Sequence, residues 1–216
     1  VTGREERFVR ESVFGSYRSQ FQIDRDRIIY SPYLARLTDV TQVRSVDGFL
    51  VHNRLTHSLK VAQIARRLAE LVRIKQPELA ETLGVDPDVA EAAGLSHDMG
   101  HPPFGHIAEE ELNDLVRNDG KGPEDGYEGN AQSFRIIVRL SVGDTVPDDK
   151  AIPFLPGLNP TRATLNAVLK YPWFVSFRQG CMNCVRIAGK VVLLPGIRQG
   201  GRPCHEAKRG RSRWKK

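Results

Sequence analysis

The 216-residue sequence predicts an all-α fold. Three observations carry that expectation. Apolar residues recur at the i, i+3, i+4 spacing of helices, capping and breaking residues punctuate those runs, and no alternating strand pattern of any length competes. With 40% hydrophobic residues the chain can bury a real core, most simply as one domain. No apolar run approaches the roughly 18 residues needed to span a bilayer.

Taken in order, DRDRIIYSPYLARL (24–37) is helical in pattern, with a break or restart at Ser31-Pro32. THSLKVAQIARRLAELVRI (56–74) is the clearest helix. Val61, Ile64, Leu68, Leu71 and Val72 define its expected buried face, and Lys60, Arg66, Arg67 and Glu70 the solvated one. Asp86 caps the next helix, with Pro87 at its first position, and the helix runs through VAEAAGLSHD. Gly100 and Pro102-Pro103 end it, and another starts near Gly105 and runs through IAEEELNDLVR. NDGKGPEDG (118–126) reads as a loop and EGNAQSFRIIVRL (128–140) as a helix. The Pro/Gly-rich stretch after it is irregular, and Asn159-Pro160 is expected to cap a last helix through TRATLNAVLKY. There is no internal repeat.

The charge of +6 divides unevenly. Of 32 basic residues, 11 follow Trp173 against a single acid there, Glu206, so residues 1–173 are mildly acidic and the tail strongly basic. That tail reads as a solvated, irregular segment rather than a specific nucleic-acid reader, with at most weak nonspecific contact to nucleic acid. All three cysteines lie in it. Their odd number argues against a disulfide framework and for a reducing compartment, with the cytoplasm as the expected location. Cys181-x-x-Cys184 followed by Cys204-His205 can be drawn as a zinc site, although the second pair lacks proper ligand spacing. The N-terminus, VTGREERFVRES, has neither an initiating Met nor the apolar stretch of a signal peptide, as a processed chain or fragment would.

Five of the six histidines fall between positions 52 and 106, and three of them crowd into LSHDMGHPPFGH (95–106). His97 and Asp98 close one helix, His57 opens another, and two packed helices can direct all three into shared space. Imidazole nitrogen with carboxylate oxygen is a donor mixture suited to divalent ions. The alternative is that His97 and Asp98 are only a helix C-terminal pair favoured by the dipole, but it must also account for His101 and His106 around a Gly-Pro-Pro turn. His52 reads as a loop residue.

At these residues the sequence resembles the HD-domain deoxynucleoside triphosphate triphosphohydrolases, in their bacterial dGTPase-like branch. DRDRIIYSPYLARL, TQV (41–43), RLTHSLKVAQIAR (54–66), HDMGHPPFGHIAEEELN (97–113), EGNAQSFRI (128–136) and LNPTRATLNAVLKYPW (158–173) carry the likeness in family order. The resemblance implies a helical HD-domain bundle in residues 1–173, one divalent ion such as Mg or Mn, and hydrolysis of a dNTP, dGTP foremost, to deoxynucleoside and inorganic triphosphate. It also leaves room for a homo-oligomer. It suggests His57, His97 and Asp98 as metal ligands, the ion activating water for attack at the α-phosphorus. His106 matches a catalytic histidine, with Glu109 one turn on to orient it. His101 would steer phosphate or cap the preceding helix. Arg54 would face the nucleotide phosphates, Gln42 the deoxyribose, and Asn130 and Gln132 would support the pocket. The family pattern ends in a further aspartate on a later helix, yet no aspartate follows Asp149 here, and the likeness stops at Trp173. Residues 174–216 therefore read as an unrelated, frameshifted or disordered extension. The expected activity of this chain is weak. Another HD phosphohydrolase, or an inactive nucleotide-binding remnant, is the alternative.

Overall fold

The computed structural model describes residues 3–11, 17–44, 51–118, 126–141 and 156–169, together with two short strands in the tail. Residues 1–170 form one compact unit and 171–216 another. No described helix is long and apolar enough to cross a membrane.

The first unit is helical. Helix α1 (Gln20–Ile29) opens with a capping box, in which Ser19 accepts from the Gln22 N–H and the Gln22 side chain returns the bond. Ser31 caps α2 (Pro32–Ala35), which continues as a 3-10 turn over Arg36–Asp39, so the Ser-Pro pair does break and restart the helix. Helix α3 spans Arg54–Lys75, α4 Pro77–Leu83 and α5 Pro87–Ser96. Asp86 caps α5 as expected, accepting from the N–H groups of Asp88 and Val89. Helix α6 covers Gly105–Asn118 and α7 Gly129–Arg135. The chain then widens into a π turn, Ile136–Leu140, whose Ile137 carbonyl accepts the Leu158 N–H at 2.8 Å. Helix α8 is Arg162–Val168. Its cap is Thr161, not Asn159, because Asn159 has another task. Fully buried, Asn159 donates to the Val9 carbonyl and accepts the Val9 N–H, stapling the N-terminal segment to the body.

Ile28, Leu34, Leu37, Val40, Ala62, Ala92, Leu95, Met99, Ile136, Ile137 and Leu158 make the core. The face of α3 turned toward it is not the expected one. Ile64, Leu68 and Leu71 are 59%, 57% and 48% exposed, whereas Ser58, Ala62 and Ala69 are buried. The reason is close helix packing. A Cβ on Gly94 of α5 would stand 2.6 Å from the Ala62 Cα, so α3 and α5 approach too closely for large side chains between them. Arg66, expected on the solvated face, instead bridges Glu70, Asp88 and Glu91.

Two short hairpins went unforeseen. Strands β1 (Thr41–Arg44) and β2 (Val51–Asn53) pair antiparallel across a bulge and feed α3, the Arg54 N–H donating to the Val40 carbonyl at 2.8 Å. His52 thus lies in a strand rather than a loop. In the second unit β3 (Cys184–Ile187) pairs antiparallel with β4 (Lys190–Leu193), where an irregular tail was expected. Their Val and Ile content favours strands, and only Ala188-Gly189 separates them in sequence. Cys181, Cys204, His205 and the aspartates at 144, 148 and 149 lie outside the described residues.

Candidate metal centre

The site is built where α5 gives way to the His97–His101 turn. Met99 is completely buried in the core, so the intervening backbone is drawn inward and its polar neighbours are presented together. Three side chains from distant elements then hold that backbone. Arg36 donates to the carbonyls of Met99 and His101, at 2.9 and 3.0 Å. The Tyr127 hydroxyl donates to the Gly100 carbonyl at 2.7 Å. Ser133 accepts the Gly100 N–H at 2.8 Å. Gly100 is required here by space, since a Cβ would come within 2.2 Å of the Ser133 backbone nitrogen and 2.3 Å of the Gly129 carbonyl oxygen.

His57, in the first turn of α3, meets His97 and Asp98 at this turn, and one donor atom from each lies within 4.8 Å of the others. The rings of His57 and His97 stand edge to face, 5.2 Å between centroids. His97 Nδ1 lies 2.7 Å from the Gly94 carbonyl, to which it donates as the Nδ1–H tautomer. That leaves Nε2, 3.4 Å from Asp98 Oδ1, as a lone-pair donor. Burial pushes the His57 pKa down despite the opposing pull of Asp98, which favours the neutral ring a metal requires. Asp98 itself is buried, with Oδ2 taking a 2.9 Å ion pair from Arg54 and lying 4.0 Å from His57 Nε2. Two imidazoles and one carboxylate, with the His97 Nδ1 already engaged by the Gly94 carbonyl, fit a divalent ion.

A second group stands beside the first. His101 is buried, and burial holds its pKa below the ordinary histidine value against the pull of Asp98. After the Pro102-Pro103 pair, Phe104 and Gly105 both adopt positive φ, 69° and 64°, and turn the chain into α6. His106 and Glu109 occupy the first turns of that helix, 3.0 Å apart between Nδ1 and Oε2. Burial alone pushes the Glu109 pKa up. A 2.6 Å bond from the Gly129 N–H and the contact with His106 outweigh it and hold the carboxyl below its usual range.

The remaining expected residues each show an unmet polar atom. Gln42 Oε1, Arg54 Nε, Asn130 Oδ1 and Gln132 Oε1 are buried without a hydrogen-bond partner. So is the hydroxyl of Ser58, next to His57, which sequence reasoning passed over. Buried polar groups are ordinarily paired, so each of these atoms is open to a polar partner. An open cleft lined by Arg4, Arg73, Glu81 and Asp86 includes none of these residues. Sequence reasoning also missed Arg36, Ser133 and Tyr127, whose role depends on partners far along the chain.

Residues 54–140 match the HD domain family. The chain is 44% identical over 167 residues to a deoxyguanosinetriphosphate triphosphohydrolase-like protein of Corynebacterium efficiens, covering 77% of this chain and 34% of that one. Proteins of the same description from Bifidobacterium longum (43% over 171 residues, 78% of this chain and 32% of the relative) and Streptomyces coelicolor (44% over 162 residues, 72% and 33%) are similarly close. The chain spans about a third of the length of these curated relatives. Residues 54–140 thus resemble the HD domain, and the wider likeness of the chain is to deoxyguanosinetriphosphate triphosphohydrolase-like proteins.

Proposed function

We propose that this chain carries the metal-binding and proton-transfer parts of a dNTP triphosphohydrolase, with dGTP as the leading substrate. The observation that carries the reading is the convergence of His57, His97 and Asp98, drawn from two elements, with the His97 tautomer fixed by the Gly94 carbonyl. The similarity to dGTPase-like proteins supports the choice among HD chemistries.

A divalent ion held by those three residues would polarise a phosphoryl oxygen and make water easier to deprotonate. The chain's own groups supply the rest. Arg54, beside Asp98, offers its free Nε–H to a phosphate oxygen. The unpaired amide oxygens of Gln42, Asn130 and Gln132 accept from sugar hydroxyl and base donors. His101 borders the phosphates. As a water oxygen bonds to the α-phosphorus and the bond to the 5′-oxygen breaks, His106, oriented by Glu109, gives a proton to that departing oxygen, releasing deoxynucleoside and inorganic triphosphate.

Residues 150–216 contain no aspartate, and three protein ligands converge among the described residues, so slow turnover is expected of these 216 residues. A poorly fixed reacting group alone can cost about 10²-fold. The test is dGTP hydrolysis with Mn²⁺ or Mg²⁺, with products separated by chromatography. Deoxyguanosine with triphosphate is the expected pair, and His106→Ala should lower kcat by about 10²–10⁴ while changing nucleotide affinity little. Release of dGMP and pyrophosphate would assign the chain to a different HD phosphohydrolase reaction.

A further inference from the structure

We propose that His101, His106 and Glu109 form a second divalent-cation site, separate from His57, His97 and Asp98 and selective for Zn²⁺ or Co²⁺ over Mg²⁺. One donor atom from each of the three lies within 4.8 Å of the others, as in the first group. Ligand atoms bonded at about 2.0–2.2 Å must come somewhat nearer than that. The adjustment falls on His106, whose side chain is 81% exposed and has room to turn.

The independent sign of a ligand is His101. Its side chain is only 7% exposed, and Nδ1 has no hydrogen-bond partner, with the Asp98 oxygen 3.5 Å away and not bonded to it. A buried ring nitrogen without a partner is costly unless something takes its lone pair. The ring is held in place, because a Cβ on Gly129 would lie 2.9 Å from its Nδ1 and Cε1. Glu109 is fixed by the Gly129 N–H, and the His101 and His106 rings meet edge to face with 6.0 Å between centroids. Two features oppose a cation: the N-terminal end of α6 and Arg54, whose Nη2 lies 3.7 Å from where a Gly105 Cβ would be. The Glu109 and Asp98 carboxylates offset them. Two imidazoles with one carboxylate suit borderline transition ions, whereas Mg²⁺ demands oxygen ligands and sheds water reluctantly.

The consequence for catalysis rests on the function proposed above. An ion here occupies His106 and Glu109, so metal binding and proton donation exclude each other, and excess Zn²⁺ or Co²⁺ should inhibit where Mg²⁺ does not. Binding itself is tested without turnover. Co²⁺ is titrated into the full chain by equilibrium dialysis and visible absorption, and again with Cys181, Cys184 and Cys204 changed to Ser so that tail thiolates do not contribute. The expected result is two equivalents. His106→Ala and Glu109→Gln should each weaken one of them at least tenfold and leave the other intact, while His57→Ala removes the other. A single equivalent, or a second that survives both His106→Ala and Glu109→Gln, would overturn the proposal. Loss of both equivalents in His57→Ala would also overturn it, since that would mean one shared site.

Discussion

The two histidine groups are neighbours in sequence and space, yet they are built differently. His97 and Asp98 sit on a turn anchored by a buried methionine and tied by Arg36, Tyr127 and Ser133. His106 projects from the first turn of a helix with 81% of its side chain exposed, bonded to Glu109 and edge to face with His101. The difference corresponds to what each must do. A ligand set has to hold its geometry before the ion arrives, so its cost is met by the fold. Under the proposed function, a proton carrier has to reach substrate, and an exposed position such as that of His106 suits it. The comparison therefore separates stability from chemistry, and substitutions should divide along that line.

The largest stability effect should come from Arg54→Met. It leaves the buried Asp98 carboxylate without its ion-pair partner, a change that costs about 3–5 kcal/mol. Thermal or urea unfolding of the metal-free protein measures it. Adding Mn²⁺ should recover part of the loss, because an ion can compensate the same carboxylate, and no recovery would place Asp98 outside the metal centre. Next comes Gly100→Ala, which forces a methyl against the Ser133 and Gly129 backbones. Overpacking of this kind costs about 1–3 kcal/mol, and here it should also lower metal affinity, because the turn that carries His97 and Asp98 must shift. A loss of stability with metal affinity intact would show that the turn can move without its ligands.

Ala62→Leu belongs in the same range, about 1–3 kcal/mol, since Gly94 of α5 leaves no room beside it. Leu68→Lys, on the exposed face of the same helix, should change stability by no more than about 0.5 kcal/mol. The pair tests which face of α3 is packed, and equal effects would contradict the assignment. The smallest effect should be His106→Ala, also within about 0.5 kcal/mol. Its consequence lies in kcat.

Helix α3 shows why one part of this structure was legible in sequence and another was not. Its helical character over 56–74, inside the observed Arg54–Lys75, follows from local residue chemistry, as do the break at Ser31-Pro32 and the Asp86 cap of α5, all three expected from sequence. The choice of buried face depends on how closely α5 approaches, and Gly94, far along the chain from Ala62, decides that. The hydrophobic stripe was real, but size and burial parted company. The same limit applies to Asn159, which looked like a cap and is instead a staple to Val9, 150 residues distant. At the site, the spacing of His57, His97 and Asp98 was legible because ligand chemistry restricts residue types sharply. Arg36, Tyr127 and Ser133 left no such signal. An arginine that binds backbone carbonyls looks in sequence like any other arginine.

The central claim is that His57, His97 and Asp98 hold one ion, and bound metal tests it most directly. The full chain is loaded with Mn²⁺, freed of excess by dialysis, and its metal content is compared with that of His97→Ala and Asp98→Asn. His97→Ala removes the ring whose tautomer is set by the Gly94 carbonyl, and Asp98→Asn keeps the shape while removing the charge. Loss of a ligand should lower affinity by well over tenfold, since changes even in the groups that merely orient ligands cost roughly 10–100-fold. A loaded parent with both variants nearly empty is the predicted result. Equal metal in all three proteins, with the parent clearly loaded, would contradict the account.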